Sequence, residues 1–241
     1  MQITAPSAVR FRPFDTRALL PRQMPDASVR ALVASLPVIT FKQLTHKGNP
    51  SRHKPECNSY EGCLLSVSEH PDEWDEIVRG LKGKVWNVRL PDSPLRLIAM
   101  RRIPGKVREA LRKVGITLGL IRETQGYKIS WWDDEDEATR YITTCDKEEA
   151  DAEMGEEGRT LTRHTLYLAT PKLARYWGLR HGKGSLGDQD ASEALLAYLV
   201  EWNGTHHGLW WQDAYAPARL ACPRGALFQS VVSKIELSPA A

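Results

Sequence analysis

The chain has 241 residues, of which 41% are hydrophobic and 26% charged, a composition ordinary for a globular protein. Its formal net charge of +3 is too small to indicate nucleic-acid binding, which needs a concentrated basic face. No stretch approaches the ~20 apolar residues of a membrane span or shows the apolar core of a secretory signal. The four cysteines are too sparse for a disulfide framework. We therefore expect a soluble, cytoplasmic protein with reduced thiols and no membrane partner.

The first third of the chain predicts an arm, a helix and two strands. Residues 1–27 are irregular and arginine-bearing, and the apolar spacing of "ASVRALVASLP" predicts a helix that ends at Pro37. Residues 38–46, "VITFKQLTH", alternate apolar and polar side chains and predict one strand. A loop rich in Gly, Pro and Asn follows over 47–62, and "CLLSVS" at 63–68 predicts the second strand.

The remaining segments mix helices and strands without strict alternation. The pattern predicts helices in "PDEWDEIVRGL", in the basic "PGKVREALRKVG" closed by Gly115, at about 147–154, in "PKLARYWGLR" and in "ASEALLAYLVEW". It predicts strands in "KVWNVRL", "LRLIAM" and "RHTLYLAT", a hairpin over "YKISWWDDEDEATRYITTC" with an acidic turn, and a strand, loop and strand over the end of the chain. This order favours an α+β fold with mainly antiparallel pairing.

Three segments carry side chains suited to chemistry, and each also has a structural explanation. His46 ends a predicted strand before a glycine, where a lone histidine is more often a surface or packed side chain. Ser66 and Ser68 share one strand face, although Ser68 also suits a helix N-cap. Trp211 and Asp213 lie where a late strand runs into a loop, where a solvated carboxylate is also ordinary.

Two other kinds of site compete for the same residues. His46, His53, Cys57 and Cys63 fall within eighteen residues, but the two cysteines are six apart, whereas zinc sites use closer pairs. We predict no metal site. The basic helix at 104–115 and the segment 175–184 interleave Arg, Lys and an aromatic ring, which fits either a nucleic-acid face or a solvated helix face.

The order of the three segments resembles the ADP-ribosyltransferase superfamily. "LTHKG", "GCLLSVSEHPDEW" and "GLWWQDAYAPARLACPRGALF" would fill the places of that family's cofactor-binding strand, its Ser-rich strand and its late acidic residue. The second segment is similar to small phage-encoded members that act as anti-CRISPR proteins. The resemblance implies a mainly antiparallel split β-sheet core with an inserted β-rich and helical middle. It implies one domain over 38–236, after an arm and helix at 1–37, with the insertion at about 84–163.

The resemblance also implies roles for particular residues, with NAD as the substrate. Asp213 would be the catalytic acid that stabilises the oxocarbenium-like state. His46 would contact the ribose, and Ser66 would orient His46 or the ribose. Arg52 would contact the pyrophosphate, and Tyr60 or one of Trp210 and Trp211 would stack on the nicotinamide ring. Ser68 would line the cofactor pocket beside Ser66. The Glu-x-Glu or Gln-x-Glu pair of arginine-modifying members is missing. Glu201 is therefore an alternative catalytic acid.

The implied activity is transfer of ADP-ribose from NAD to a protein or nucleic-acid acceptor, as a bacterial toxin, an effector or a phage-type inhibitor. Two alternatives remain open. An NAD glycohydrolase would use the same pocket without an acceptor. A non-catalytic protein would retain the fold and bind a partner through its charged middle lobe.

Overall fold

The computed structural model describes residues 20, 26–48, 63–70, 83–134, 138–178, 188–211 and 224–240. The strands are β1 (Val38–Phe41), β2 (Leu44–Gly48), β3 (Leu65–Ser68), β4 (Lys84–Arg89), β5 (Leu95–Ala99), β6 (Ile121–Asp133), β7 (Ala138–Thr144), β8 (Thr160–Ala169), β9 (Gly208–Trp211), β10 (Arg224–Leu227) and β11 (Glu236–Pro239). The α-helices are α1 (Ala27–Ala34), α2 (Gly105–Thr117), α3 (Lys147–Glu153), α4 (Pro171–Tyr176), α5 (Asp188–Asn203) and α6 (Gln229–Val232). Within the described part of the chain, no helix is long and apolar enough to cross a membrane.

The chain divides into two compact units. The first comprises Met1–Arg108, Tyr176–Leu179 and Ala197–Ala241, and the second Glu109–Arg175 and Arg180–Leu196. The insertion predicted at about 84–163 overlaps the second unit from residue 109 onward, whereas β4 and β5 belong to the sheet of the first.

The first unit is built on an eight-stranded sheet in the order β1-β5-β9-β10-β3-β2-β4-β11. The β5–β9 pair is parallel and the other pairs are antiparallel, so the mixed, mainly antiparallel α+β architecture is confirmed. The prediction of one strand over 38–46 is wrong, because β1 and β2 are separated at Lys42–Gln43 and pair with different neighbours.

This break shows that the sheet curls back on itself. In a flat sheet, strands five places apart lie about 24 Å from each other. Phe41 and Leu44 follow each other too closely for that, because three peptide units span at most about 11 Å. Curling brings the outer edge of β1 to the start of β2, and a two-residue corner suffices to join them.

One face of the curled sheet holds the apolar core of the first unit. The rings of Phe41 and Trp210 pack with centroids 4.5 Å apart. Gly225 lies opposite Trp210 in the β9–β10 ladder, and a Cβ there would lie 2.6 Å from the Trp210 ring and 2.8 Å from Leu97. The glycine therefore makes room for the indole, which is 1% exposed.

The last part of the chain contains more elements than the sequence predicts. The final apolar segment was expected as one strand, but β10 ends at Leu227 and the short helix α6 follows at Gln229–Val232. β11 then pairs with β4 at the other side of the sheet. The prediction failed because Val231 and Val232, which favour strands by propensity, are buried in a helical turn.

The second unit contains the three-stranded antiparallel sheet β7-β6-β8. The predicted hairpin is confirmed, with β6 and β7 paired from Tyr127↔Thr144 to Asp133↔Ala138. β8 pairs with the other edge of β6 over ten residues. The helix predicted near 147–154 is α3, whose N-cap Asp146 accepts hydrogen bonds from the N–H groups of Glu148 and Glu149.

Gly115 does not end its helix, contrary to prediction. α2 continues to Thr117, and the turn comes at Gly119, whose φ of +63° suits a residue without a side chain. A Cβ at Gly115 would lie 2.7 and 2.8 Å from the methyl groups of Leu195. Gly115 therefore allows close helix packing rather than helix termination.

Candidate functional site

The site predicted around His46 lies where β2 separates from β3. The two strands share a single residue pair, Thr45↔Ser68, at which the Thr45 hydroxyl donates to the Ser68 carbonyl over 3.0 Å. Beyond that pair, Nδ1 of His46 lies 2.8 Å from the carbonyl oxygen of Ser66. A carbonyl can only accept, so Nδ1 carries the proton and Nε2 is the acceptor nitrogen of the neutral ring.

Trp86 and Gly48 are neighbours of His46 in the sheet. Trp86 lies opposite His46 in the β2–β4 ladder, and its Nε1–H donates to the carbonyl of Gly48 over 3.0 Å. A Cβ at Gly48, whose φ is +150°, would lie 2.9 Å from Nε2 of His46. The absence of a side chain at Gly48 thus makes room for the imidazole itself. Sequence reasoning predicted the strand of Trp86 but missed its place in the site, because the strand partner could not be read from the sequence.

Ser66 and Ser68 lie on one face of β3, as their spacing predicts. The register Thr45↔Ser68 puts both serine side chains on the Thr45 face, and His46 on the opposite face. Ser66 therefore holds the imidazole through its main-chain carbonyl, with its hydroxyl directed to the other face. Ser68 is 1% exposed, and its Oγ accepts from the N–H of His70 over 3.4 Å.

Arg224 joins the serine face and was not among the predicted site residues. It lies directly opposite Ser68 on one side of β10 and opposite Trp211 on the other. Its guanidinium carbon is 5.6 Å from the centroid of the Trp211 ring, a cation–π distance. Trp211 itself is 7% exposed. The sequence shows Arg224 only within "CPRGAL", and the three-strand register that gives it these neighbours was not predictable.

The remaining predicted residues fall into two groups. Arg52, Tyr60 and Asp213 lie outside the described residues, so their roles stay predictions. Glu201, the alternative acid, is 6% exposed in α5. It accepts hydrogen bonds from the Tyr176 hydroxyl over 2.7 Å and from the Ser230 N–H over 3.1 Å.

The contacts of Glu201 indicate a structural role. Ser230 lies in the first turn of α6, so the carboxylate satisfies a donor at that helix N-terminus. α6 follows Leu227, which pairs with Leu65 at one end of β3, whereas Ser68 lies at the other end. The contact of Glu201 with α6 is therefore at the end of β3 that does not carry Ser68. Burial, followed by the neighbouring Glu201 charge, raises the pKa of Tyr176 well above its usual value, which keeps the phenol protonated as a donor.

The described residues contain no group of three His, Cys, Asp or Glu side chains placed to hold a metal ion. His53 and Cys57, from the alternative zinc set, lie outside those residues. No family model, curated protein or solved structure matches the chain.

Proposed function

We propose that the chain is an NAD-dependent ADP-ribosyltransferase whose cofactor site includes His46. The observation that carries the proposal is the hydrogen bond between Nδ1 of His46 and the carbonyl of Ser66. It orients the imidazole with Nε2 against Gly48, where a side chain would collide with the ring. An oriented acceptor of this kind suits a ribose hydroxyl, which donates a hydrogen bond.

Trp86 is the aromatic ring nearest to this imidazole in the strand register. It is half-buried and held by its own hydrogen bond to Gly48. The nicotinamide ring of NAD is cationic and is attracted to an indole face. In the proposal Trp86 takes the stacking role that the resemblance implied for Tyr60 or for one of Trp210 and Trp211. Trp211 is less suited, because Arg224 already lies over its ring.

Arg224 lies on the serine face, on the side of the sheet opposite to His46. In the proposal the pyrophosphate contact therefore stays with Arg52, whose guanidinium would match the pyrophosphate oxygens through paired donors. Glu201 is committed to Tyr176 and Ser230. The proposal therefore retains Asp213, two residues after Trp211 in the sequence, as the acid that stabilises positive charge while nicotinamide leaves.

The decisive experiment measures nicotinamide release from NAD by the purified chain, with and without cell lysate, and follows a label on the ADP-ribose. We expect release by the wild type, with a loss of about 100-fold or more in Asp213→Asn, since electrostatic stabilisation of a charged transition state is a large contribution. His46→Gln should weaken NAD binding. His164→Gln, at an exposed position of β8, is the matched control and should behave as the wild type.

The outcomes separate the alternatives. Label that stays on a lysate macromolecule supports the transferase and supplies its acceptor. Nicotinamide release without labelling supports an NAD glycohydrolase that uses the same residues. If NAD neither raises the melting temperature of the chain nor is cleaved, both enzymatic assignments are wrong. The non-catalytic binding protein is then the remaining alternative.

A further inference from the structure

The pairing of β2 with β4 continues past His46 on the face of the sheet that carries the imidazole. Residues directly opposite each other in an antiparallel pair share a face, and so do residues two apart on one strand. Three successive residue pairs therefore lie on this face, which we call the His46 face: Leu44↔Val88, His46↔Trp86 and Gly48↔Lys84.

The exposure of the His46 face rises along the strands. Leu44 and Val88 form a buried apolar floor, with exposed fractions of 1% and 0%. His46 and Trp86 are half-buried, and Lys84 is exposed. Because charge is costly to bury beside apolar side chains, the charged part of a ligand on this face belongs at the Lys84 end.

Gly83 holds the start of β4 against the end of β2. Its φ is +143°, and a Cβ at Gly83 would lie 2.7 Å from the carbonyl carbon of Gly48 and 2.8 Å from its Cα. The close approach of the two backbones therefore requires a glycine at this position. Lys84 follows Gly83 directly, so the base of the lysine side chain is fixed opposite Gly48.

The ammonium of Lys84 suits an anionic group at this end of the face. It carries three donors on a flexible stem. No carboxylate among the described residues pairs with it. Residues two apart on a strand are separated by about 7 Å. In NAD the ribose separates the nicotinamide ring from the nearer phosphate by a comparable distance, so a ring at Trp86 and a ribose at His46 put that phosphate within reach of Lys84.

We propose that Lys84 binds the phosphate on the nicotinamide side of NAD, so that the site selects nucleotides over nucleosides. The inference rests on the proposed function, because it takes Trp86 as the ring contact and His46 as the ribose contact. It also orients the ligand: the ring lies nearer the apolar floor and the pyrophosphate lies toward solvent. Lys84 thereby adds a second cation to the contact proposed for Arg52.

The test compares nicotinamide mononucleotide, which carries this phosphate, with nicotinamide riboside, which lacks it. Isothermal titration calorimetry with the full chain at low salt measures both affinities. Lys84→Met is expected to weaken binding of the mononucleotide about 5- to 10-fold, between the effects of an exposed ion pair and of a buried charged hydrogen bond. Binding of the riboside should not change.

Two further variants complete the comparison. Lys84→Arg keeps the positive charge and should retain most of the affinity for the mononucleotide. Lys42→Met is the matched control, because Lys42 is an exposed lysine of the same unit at the corner between β1 and β2. It should bind both ligands as the wild type does. Urea unfolding checks that each variant keeps the stability of the wild type.

The outcomes distinguish this inference from the proposed function. If Lys84→Met binds the mononucleotide as tightly as the wild type while NAD is still cleaved, the inference is wrong and the proposed function stands. An equal loss for mononucleotide and riboside would also overturn the inference, because the phosphate would then make no difference. If neither ligand binds, the proposed function fails. Inorganic pyrophosphate is then the probe: binding that is lost in Lys84→Met supports a phosphate site, and absence of binding overturns it.

Discussion

The Nδ1 atom of His46 lies 2.8 Å from the carbonyl oxygen of Ser66, across the point where strands β2 and β3 separate. If the pairing of β2 with β3 continued, a backbone N–H of β2 would donate to a carbonyl in this part of β3. The strands pair only at Thr45↔Ser68, so a side chain of β2 makes the contact instead. The imidazole thus holds the two strands together beyond their last residue pair and is itself oriented by doing so.

Gly48→Ala is expected to displace this imidazole. The new Cβ would lie 2.9 Å from Nε2, and a φ of +150° strains any residue other than glycine. ¹⁵N NMR of the imidazole reports the protonated nitrogen directly. We expect the Nδ1–H tautomer in the wild type and a mixture of tautomers in Gly48→Ala. Gly158→Ala, at a positive φ with open space around it, is the matched control and should leave the His46 signals unchanged. A dominant Nε2–H tautomer in the wild type would contradict the assignment.

The sequence predicted much of the local structure because periodicity and end signals are local. The helix at Ala27–Ala34 begins after its N-cap Asp26, whose side chain accepts from the N–H of Ser28, and ends before Pro37. The hairpin around the acidic turn also follows from alternation on either side of a polar turn. Each of these signals lies within a few residues of the element that it predicts.

The incorrect or missed predictions concern features that depend on contacts between residues far apart in the sequence. Gly115 looks like a helix end in the sequence, and only the position of Leu195 shows that it is a close-packing site. Trp86 and Arg224 belong to the candidate site because of the strand register. Trp86 pairs with His46, forty residues earlier, and Arg224 pairs with Ser68, more than a hundred residues earlier. Register is set by the whole sheet, so the pairing of His46 with Trp86 could not be derived from either segment alone.

Glu201→Ala is expected to destabilise the fold without acting on catalysis directly. It would leave the Tyr176 hydroxyl and the Ser230 N–H without their acceptor, and each buried group left unsatisfied costs about 1–3 kcal/mol. Glu201→Gln keeps an acceptor oxygen and should lose less. Urea unfolding measures both variants, with Glu157→Gln at an exposed position as control. If Glu201→Gln unfolds like the wild type but abolishes nicotinamide release, Glu201 is the catalytic acid instead of Asp213.

Gly115→Ala is expected to destabilise the second unit although alanine favours helices. The propensity gain is about 1 kcal/mol, whereas overpacking against Leu195 costs about 1–3 kcal/mol, because the added Cβ would lie 2.7 Å from a Leu195 methyl. Gly105→Ala has no neighbour within 4 Å and should be neutral or slightly stabilising. Chemical denaturation compares the two variants. A Gly115→Ala/Leu195→Ala double variant should recover part of the overpacking loss, and a purely additive result would exclude the contact.

Acid should destabilise the first unit through His206. Burial, followed by the charges of Arg96 and His207, lowers the pKa of His206 to about 4, against about 6.5 in an unfolded chain. Between these values the unfolded chain binds a proton that the folded chain excludes, so the contribution is complete above about pH 6.5 and is lost as the pH falls toward 4. The contribution of His206 to the free energy of unfolding is at most about 3 kcal/mol.

Urea unfolding at a series of pH values tests this directly. His206→Gln should flatten the decline in the free energy of unfolding between pH 6.5 and pH 4, because the excluded proton is no longer present. His164→Gln, at an exposed position, should keep the wild-type decline. Adding His207→Gln to His206→Gln should flatten the decline in the free energy of unfolding further, because burial also lowers the pKa of His207. The Nδ1 atom of His207 accepts the Arg96 N–H over 3.0 Å and would lose that bond on protonation. A decline that persists unchanged in His206→Gln would show that His206 already binds its proton within the folded chain at that pH.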